Sequence, residues 1–188
     1  MRKIVLFMHV TLDGFVAGPN GEMDWIKVDD EMFEYAGKNT DQADTALYGR
    51  VTYEMMQSYW PTAGDAPDAS KHDIEHSTWY NKVEKVVLSK TMKGVQRENT
   101  TIISDNIPEQ ILAIKNRPGK NLLIFGSPSA SHLFMQHDLI DEYWLFINPV
   151  ILGEGIPLFK DIMKRTQLEL IENINFSCGV AGLHYVKK

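Results

Sequence analysis

Residues Leu122–Phe134, LLIFGSPSASHLF, combine the patterns of a strand, a tight turn and a helix in one short stretch. Four apolar residues lead into Gly126, Ser127 occupies an N-cap position, and Pro128 occupies the first helical position. A helix that begins directly after a buried strand presents free backbone N–H groups and the positive end of its dipole. We therefore predict an anion site at this junction, with an ordinary strand-to-helix turn as the alternative interpretation.

Two further strand ends carry residues that suit an anionic ligand. Gly49-Arg50-Val51-Thr52 follows the predicted strand 43–48, and Ser89-Lys90-Thr91 follows the predicted strand 83–88. In parallel sheets the carboxyl ends of the strands meet at one edge, so three such ends with two cations suit a dinucleotide. Neither GxGxxG nor GxxxxGK[ST] is present, and the common dinucleotide and P-loop motifs are therefore not supported.

The order of the predicted elements indicates an α/β domain in which parallel strands come first and an antiparallel pair comes last. Lys3–Val10 is nearly continuously apolar, as expected of a central strand covered on both faces. The other strands are predicted at 43–48, 83–88, 101–103, 122–125, 141–147, 166–175 and 179–186, the last two with one face buried. Helices are predicted over 29–37, from 50 to about 56, around His72 and His76, over 105–116 and from 128, with loops at 11–21, between 58 and the His72 helix, and at 148–160.

Composition restricts the classes of function. The chain has 188 residues, of which 44% are hydrophobic, and this suits one domain with a sizeable core. Its net charge of −6 and the absence of a basic run argue against nucleic-acid binding, and no apolar run reaches the roughly 20 residues of a membrane helix. Cys178 is the only cysteine, which fits a reducing cytosol, and the N-terminus lacks a signal-peptide pattern.

Several stretches, in the correct order, resemble the dihydrofolate reductase-like group that includes the RibD C-terminal (riboflavin biosynthesis reductase) domain. They are VTLDGFVAGPNGEMDW at 10–25, LYGRVTYE at 47–54, VVLSKT at 86–91, IFGSPSASHLF at 124–134 and DEYWLFINPVILGEGIPLF at 141–159. The resemblance implies a single three-layer domain over residues 1–188, with a central mixed, mostly parallel sheet of about eight strands. It also implies a cytoplasmic NADPH-dependent reductase, often a homodimer, that acts on a pterin or a 5-amino-6-(5-phosphoribosylamino)uracil-like pyrimidine.

The resemblance also implies which residues contact NADPH. Beside the nicotinamide these are Val10, Thr11, Phe15 and Val16; on the pyrophosphate and 2′-phosphate side Gly49, Arg50, Val51 and Thr52; beside the adenine ribose Leu88, Ser89 and Lys90; and around the pyrophosphate turn Phe125, Gly126, Ser127, Pro128 and Ser129. The sequence departs from the family at Ser127, where a second glycine is common, and it lacks the Asp-Asp-Pro segment of the RibD reductase. The substrate and the oligomeric state are therefore left open, with the apolar strand segment Tyr143–Ile147 as a candidate dimer interface.

Reduction of a C=N bond needs a proton as well as a hydride, and a carboxyl beside an apolar pocket supplies one when its pKa is raised. Asp29 is our first candidate because it precedes Phe33 by one helical turn, as in dihydrofolate reductases. The alternative is a first-turn residue favoured by the helix dipole. Asp13 and Glu154, in Gly-rich loops, are the other two candidates, although a turn-forming role explains Asp13 equally well.

Two alternatives to a reductase are open. His72 and His76 lie four residues apart on a predicted helix and have the spacing of two zinc ligands in a hydrolase. No third ligand is evident, so we predict that this helix faces solvent and that the protein holds no metal. The second alternative is a protein that binds NADP without turnover.

Overall fold

The computed structural model describes residues 1–188 and contains ten strands and five helices. The strands are β1 (Ile4–Thr11), β2 (Phe15–Ala17), β3 (Ala43–Gly49), β4 (Glu84–Leu88), β5 (Thr100–Ile103), β6 (Asn121–Phe125), β7 (Glu142–Asn148), β8 (Ile156–Pro157), β9 (Leu168–Asn175) and β10 (Ala181–Lys187). The helices are α1 (Asp30–Asp41), α2 (Arg50–Ala63), α3 (Lys71–Lys82), α4 (Ile107–Lys115) and α5 (Pro128–Gln136). No helix has the length and apolar composition needed to cross a membrane.

Eight strands form one mixed sheet in the order β5-β4-β3-β6-β1-β7-β10-β9. The first six strands in this order, β5 to β7, are all parallel to one another. The next strand, β10, is antiparallel to both β7 and β9. The predicted α/β class, the central position of β1 and the antiparallel final pair are confirmed. Strands β2 and β8 form a separate two-stranded pair inside stretches predicted as loops.

Helices cover both faces of the sheet. Successive side chains of a strand point to opposite faces, and in the inner strands the side chains on both faces are apolar. In β1, Ile4 and Leu6 belong to a core that includes residues of α4 and α5, whereas Val5 and Phe7 pack in a core that includes residues of α1. Helices α2 and α3 bury Tyr53 and Tyr80 against the β3–β4 part of that second face. The result is three layers, and it places His9, the next residue of the Val5–Phe7 series, on the α1 side.

Three details differ from the sequence predictions. Helix α2 continues to Ala63 through a stretch predicted as a loop, because Pro61 falls in the last turn and removes only one helical hydrogen bond. Strand β9 is mostly exposed, since it lies at the sheet edge, and Leu170 is therefore not buried. The candidate interface segment Tyr143–Ile147 is not a free surface, because β7 pairs with strands on both sides and most of this segment is buried within the monomer.

Candidate active site at the carboxyl ends of the strands

Two strand-to-helix junctions meet at the carboxyl edge of the sheet. Strand β3 ends at Gly49 and leads directly into α2, while β6, its parallel neighbour, ends at Phe125 just before α5. The Gly49 backbone N–H donates a hydrogen bond to Ser127 Oγ at 2.6 Å, and this bond ties the two junctions together. A Cβ on Gly49 would lie 2.7 Å from Ser129 Oγ and 3.1 Å from the buried Ser127 Oγ, so a larger residue here would force both hydroxyls to move.

Ser127 is the N-cap residue of α5, as predicted, but its side chain makes no capping hydrogen bond. It is buried and adopts the left-handed conformation with φ of 60°, next to Gly126 with the same φ. Its hydroxyl is engaged by Gly49 instead. Serine thus occupies a backbone conformation that favours glycine, and the free N–H groups at the start of α5 have no side-chain partner.

A cavity of about 360 Å³, which we call the outer cavity, opens between these junctions, β1 and the β2–β8 pair. Its volume lies within the usual range for a small-molecule site. Seven of the residues predicted to contact the cofactor line it: Val16, Val51, Thr52, Phe125, Gly126, Ser127 and Pro128. His9, Met55 and Met56 also line it and were missed by the sequence analysis.

The remaining predicted cofactor residues do not line the outer cavity. Gly49 and Ser129 flank it at the junction, Val10 is buried in the core, and Leu88 ends β4 on the same sheet edge. Thr11 Oγ1 accepts from the Phe15 N–H, so those two residues shape the β1–β2 loop.

Three polar residues at the same edge have different surroundings. Ser89 is buried, and its Oγ accepts from the Met92 N–H, so this side chain stabilises the turn after β4. Arg50 pairs with Glu54 across one helical turn, while Lys90 is exposed and makes no ion pair. Lys90 is therefore the freer of the two cations.

A second cavity, the inner chamber, has a volume of about 120 Å³ and shares Phe7, His9, Met56 and Phe125 with the outer cavity. Its other lining residues come from the α1 region, α2 and α3: Val28, Met32, Phe33, Ala36, Trp60, His72 and His76. A larger, open groove of about 740 Å³ lies between α1 and α3, but its lining is entirely helical and includes no strand end.

The prediction that the His72–His76 helix faces solvent is wrong. His76 is only 8% exposed, and its ring packs against Trp60 with the centroids 4.0 Å apart. His72 is half-buried and stacks on Phe33 at 4.0 Å. The tertiary fold places α3 against α2 and α1, so polar residues that the sequence pattern assigned to a surface become chamber walls. No group of three or more His, Cys, Asp or Glu side chains is arranged to hold a metal ion.

Burial keeps the histidines of the inner chamber neutral. Desolvation lowers the pKa of His9 from 6.5 to about 4 and that of His76 to about 3, and it also lowers the pKa of His72. In His76 the neighbouring His72 adds to the same shift. At neutral pH these rings are therefore uncharged hydrogen-bonding groups in an aromatic wall.

The family model of the RibD C-terminal domain matches residues 2–181 of the chain. The uncharacterised protein YyaP of Bacillus subtilis (strain 168) is 38% identical over 186 residues, which is 98% of this chain and 94% of YyaP. The chain belongs to the RibD C-terminal domain family.

Solved structures confirm the fold of this RibD C-terminal domain protein. A putative riboflavin biosynthesis protein from Shewanella sp. PV-4 superposes with a TM-score of 0.71 at 23% identity and covers 99% of both chains. Dihydrofolate reductase from Enterococcus faecalis, complexed with NADP(H) and RAB-propyl, gives a TM-score of 0.63 at 16% identity, over 99% of this chain and 96% of that enzyme. The predicted dihydrofolate reductase-like fold is therefore confirmed.

Within this RibD C-terminal domain, the expectation that an apolar pocket raises the pKa of Asp29 is wrong. Asp29 is the N-cap of α1, and its carboxylate accepts hydrogen bonds from Met32 N–H at 2.8 Å, Ser177 Oγ at 2.7 Å and Cys178 N–H at 2.9 Å. These donors lower the pKa of Asp29 to about 2, the Met32 N–H contributing most. The carboxylate is thus held ionised and fixes the start of α1 to the β9–β10 turn.

The other two acidic candidates also lie outside the lining of both cavities. Asp13 is exposed, and it accepts from Thr11 Oγ1, Leu152 N–H and Gly153 N–H, which lowers its pKa and joins two loops. Glu154 is exposed in the β7–β8 loop and makes no hydrogen bond or ion pair. No carboxyl side chain lines either cavity.

Proposed function

We propose that this protein is an NADPH-dependent reductase that transfers hydride to a small heterocyclic substrate. The observation that carries the proposal is the outer cavity at the strand ends, which adjoins an aromatic inner chamber through four shared residues. Membership of the RibD C-terminal domain family supports the same reaction class. The two adjoining spaces provide one position for a cofactor ring and one for a substrate ring.

The residues at the two junctions suit the phosphates of a dinucleotide. Helices α2 and α5 both begin there without a side-chain cap, so their first N–H groups are available to an anion. At Gly126 only Thr52 Cγ2 lies within 4 Å of the position where a Cβ would stand, at 3.9 Å, so this backbone is open to a ligand. Lys90 and Arg50, on the same sheet edge, are the groups we assign to a 2′-phosphate.

In this proposal NADPH supplies the hydride when it is bound, and the protein orients the reactants and excludes water. Val16, Phe125 and Met56 form an apolar wall for a nicotinamide ring. We do not assign the proton to Asp29, because its carboxylate stays ionised far below neutral pH. Asp13 and Glu154 lie outside the linings of both cavities, so water is the donor that the proposal retains.

The test is to measure NADPH binding by calorimetry and NADPH oxidation by loss of nicotinamide absorbance, with a panel of pterins, pyrimidines and flavins. We expect Gly49→Ala to weaken NADPH binding at least tenfold, because the new Cβ would crowd the buried Ser127 Oγ at 3.1 Å, as well as Ser129 Oγ, and so disturb the phosphate turn. Gly37→Ala is the matched control, since a Cβ there meets nothing within 4 Å. Binding without oxidation of NADPH by any substrate would favour the non-catalytic alternative, and no binding by the wild type would refute the proposal.

A further inference from the structure

The inner chamber and the outer cavity contain no lysine, arginine, aspartate or glutamate in their linings. An anionic group in such a space would lose its hydration and gain no ion pair, so its binding is strongly disfavoured. A phosphoribosyl group therefore has no cationic partner in the linings of these two cavities, and Lys38, Lys71 and Lys82 line the open α1–α3 groove instead. The helix N-termini at the strand ends can serve an anion, but they belong to the phosphate turn of the cofactor site.

His9 provides a directed hydrogen-bond donor on the wall that both cavities share. Asn148 Oδ1 accepts from the Lys27 N–H at 2.9 Å, so the Asn148 amide NH₂ faces His9 Nδ1 at 3.3 Å and the Phe146 carbonyl at 3.0 Å. His9 Nδ1 is therefore an acceptor, and the proton of the neutral ring lies on Nε2. His9 Nε2 has no hydrogen-bond partner within the protein, and it is not fully buried.

The rest of the inner chamber suits a flat ring. His76 and Trp60 pack face to edge or tilted against their aromatic neighbours, and Phe125 closes the side next to the outer cavity. Neither ring nitrogen of His76 makes a hydrogen bond within the protein, and neither is fully buried. The chamber of about 120 Å³ is somewhat smaller than the apolar cavity of about 150 Å³ that takes a benzene molecule. Because it adjoins the outer cavity through four shared residues, we place one aromatic ring in the chamber and the rest of a bicyclic molecule in the outer cavity.

We propose that the inner chamber binds an uncharged, flat aromatic heterocycle whose edge accepts a hydrogen bond from His9 Nε2–H, and that it rejects substrates carrying a phosphate or carboxylate. As an assignment of substrate class this rests on the proposed reductase function. The binding itself does not require turnover, so the two proposals can be tested separately.

Quinoxaline is the probe, because it is an uncharged bicyclic ring with C=N bonds and nitrogen acceptors on its edge. Three comparison ligands isolate its features: quinoxaline-2-carboxylate adds a charge, naphthalene removes the acceptors, and uridine 5′-phosphate supplies a phosphoribosyl pyrimidine. Calorimetry gives the affinity of quinoxaline at pH 7.5, and the others are measured directly or by competition. We expect quinoxaline to bind at least tenfold more tightly than the carboxylate, and uridine 5′-phosphate to show no competition.

Variants locate the ligand. Ala36→Ile adds volume inside the inner chamber and should weaken quinoxaline binding at least tenfold. His9→Phe keeps a flat ring but removes the donor, so the preference for quinoxaline over naphthalene should fall by about fivefold to tenfold. The exposed His137, at the end of α5, gives the matched control His137→Phe, which should leave both affinities unchanged. The ratio measured in His9→Phe stays informative even if its overall affinity or stability falls.

The outcomes separate the two proposals. If wild-type protein binds NADPH but not quinoxaline, or binds the carboxylate or uridine 5′-phosphate equally well, the substrate class is wrong and the reductase proposal stands. If quinoxaline binds as expected and NADPH does not, the chamber assignment stands and the reductase proposal fails. An unchanged quinoxaline-to-naphthalene ratio in His9→Phe would overturn the role of His9.

Discussion

The hydrogen bond between Gly49 N–H and Ser127 Oγ allows a quantitative test of how the two junctions stabilise each other. Ser127→Ala removes the acceptor, while the 2%-exposed position of Ser127 gives water little access to the N–H that remains. An unsatisfied buried donor costs about 1–3 kcal/mol. We therefore expect Ser127→Ala to lower the free energy of unfolding by about that amount, with Tm falling by roughly 2–4 °C for each kcal/mol in a chain of this length.

Ser127→Gly separates the hydrogen bond from the backbone strain. Glycine loses the same acceptor but adopts a φ of 60° without the penalty of about 1–2 kcal/mol that an L-residue incurs there. The glycine variant should therefore be more stable than the alanine variant by about that amount. This order is opposite to the one expected at a position with ordinary φ, where glycine is the less stable of the two.

Urea unfolding followed by tryptophan fluorescence measures these differences. Ser129→Ala is the matched control, because the Ser129 hydroxyl is exposed and makes no hydrogen bond in the structure, so its stability should stay within about 0.5 kcal/mol of the wild type. The reasoning is refuted if Ser127→Ala unfolds like the wild type, or if the glycine variant is less stable than the alanine variant.

Three further predictions follow from the same contacts. Asp29→Ala should lower the free energy of unfolding by about 1 kcal/mol because it removes the α1 N-cap, and kcat should stay nearly unchanged. A kcat about 100-fold lower would instead identify Asp29 as the proton donor. Lys90→Ala should reduce the preference for NADPH over NADH on the order of tenfold and more than Arg50→Ala, which removes a cation already paired with Glu54; equal affinities of the wild type for both cofactors would contradict this. The folded-state pKa values of His9 and His76 lie below 6.5, so the unfolded chain binds more protons than the folded chain as the pH falls. The free energy of unfolding should therefore decrease from pH 6.5 toward pH 4, by up to about 1.4 kcal/mol per pH unit for each histidine. Urea unfolding at pH 7, 6 and 5 should show a weaker pH dependence in His76→Phe than in the wild type.

Much of the fold was predictable from local sequence patterns. The apolar run of β1 and the glycine junctions at Gly49 and Gly126 are properties of short segments, and strand–turn–helix order strongly restricts the topology of an α/β sheet. At Ser127 the residue type indicated the N-cap position, but it did not indicate the left-handed backbone or the hydrogen bond from the Gly49 N–H, because that donor lies on another strand.

The surroundings of polar residues were not predictable in this way. His72 and His76 lie in a sequence with charged neighbours that matches a surface helix, yet the packing of α3 against α1 and α2 makes them chamber walls. Their i, i+4 spacing places both histidines on one face of α3, and this was the sequence feature that could have indicated a shared wall. The partner of that face, Trp60, lies on α2 only because α2 extends to Ala63, which the sequence pattern did not predict.

The role of Asp29 was also decided by tertiary contacts. Its position before a helix was compatible with either a proton donor or a cap, and the sequence could not choose between them. Ser177 and Cys178, which lower its pKa together with Met32, approach from the β9–β10 turn at the far end of the chain. The sequence by itself determined the order of strands and helices and the anion-suited turns, because these depend on neighbouring residues; the protonation states and the walls of the site depend on distant residues, and only the tertiary structure decided them.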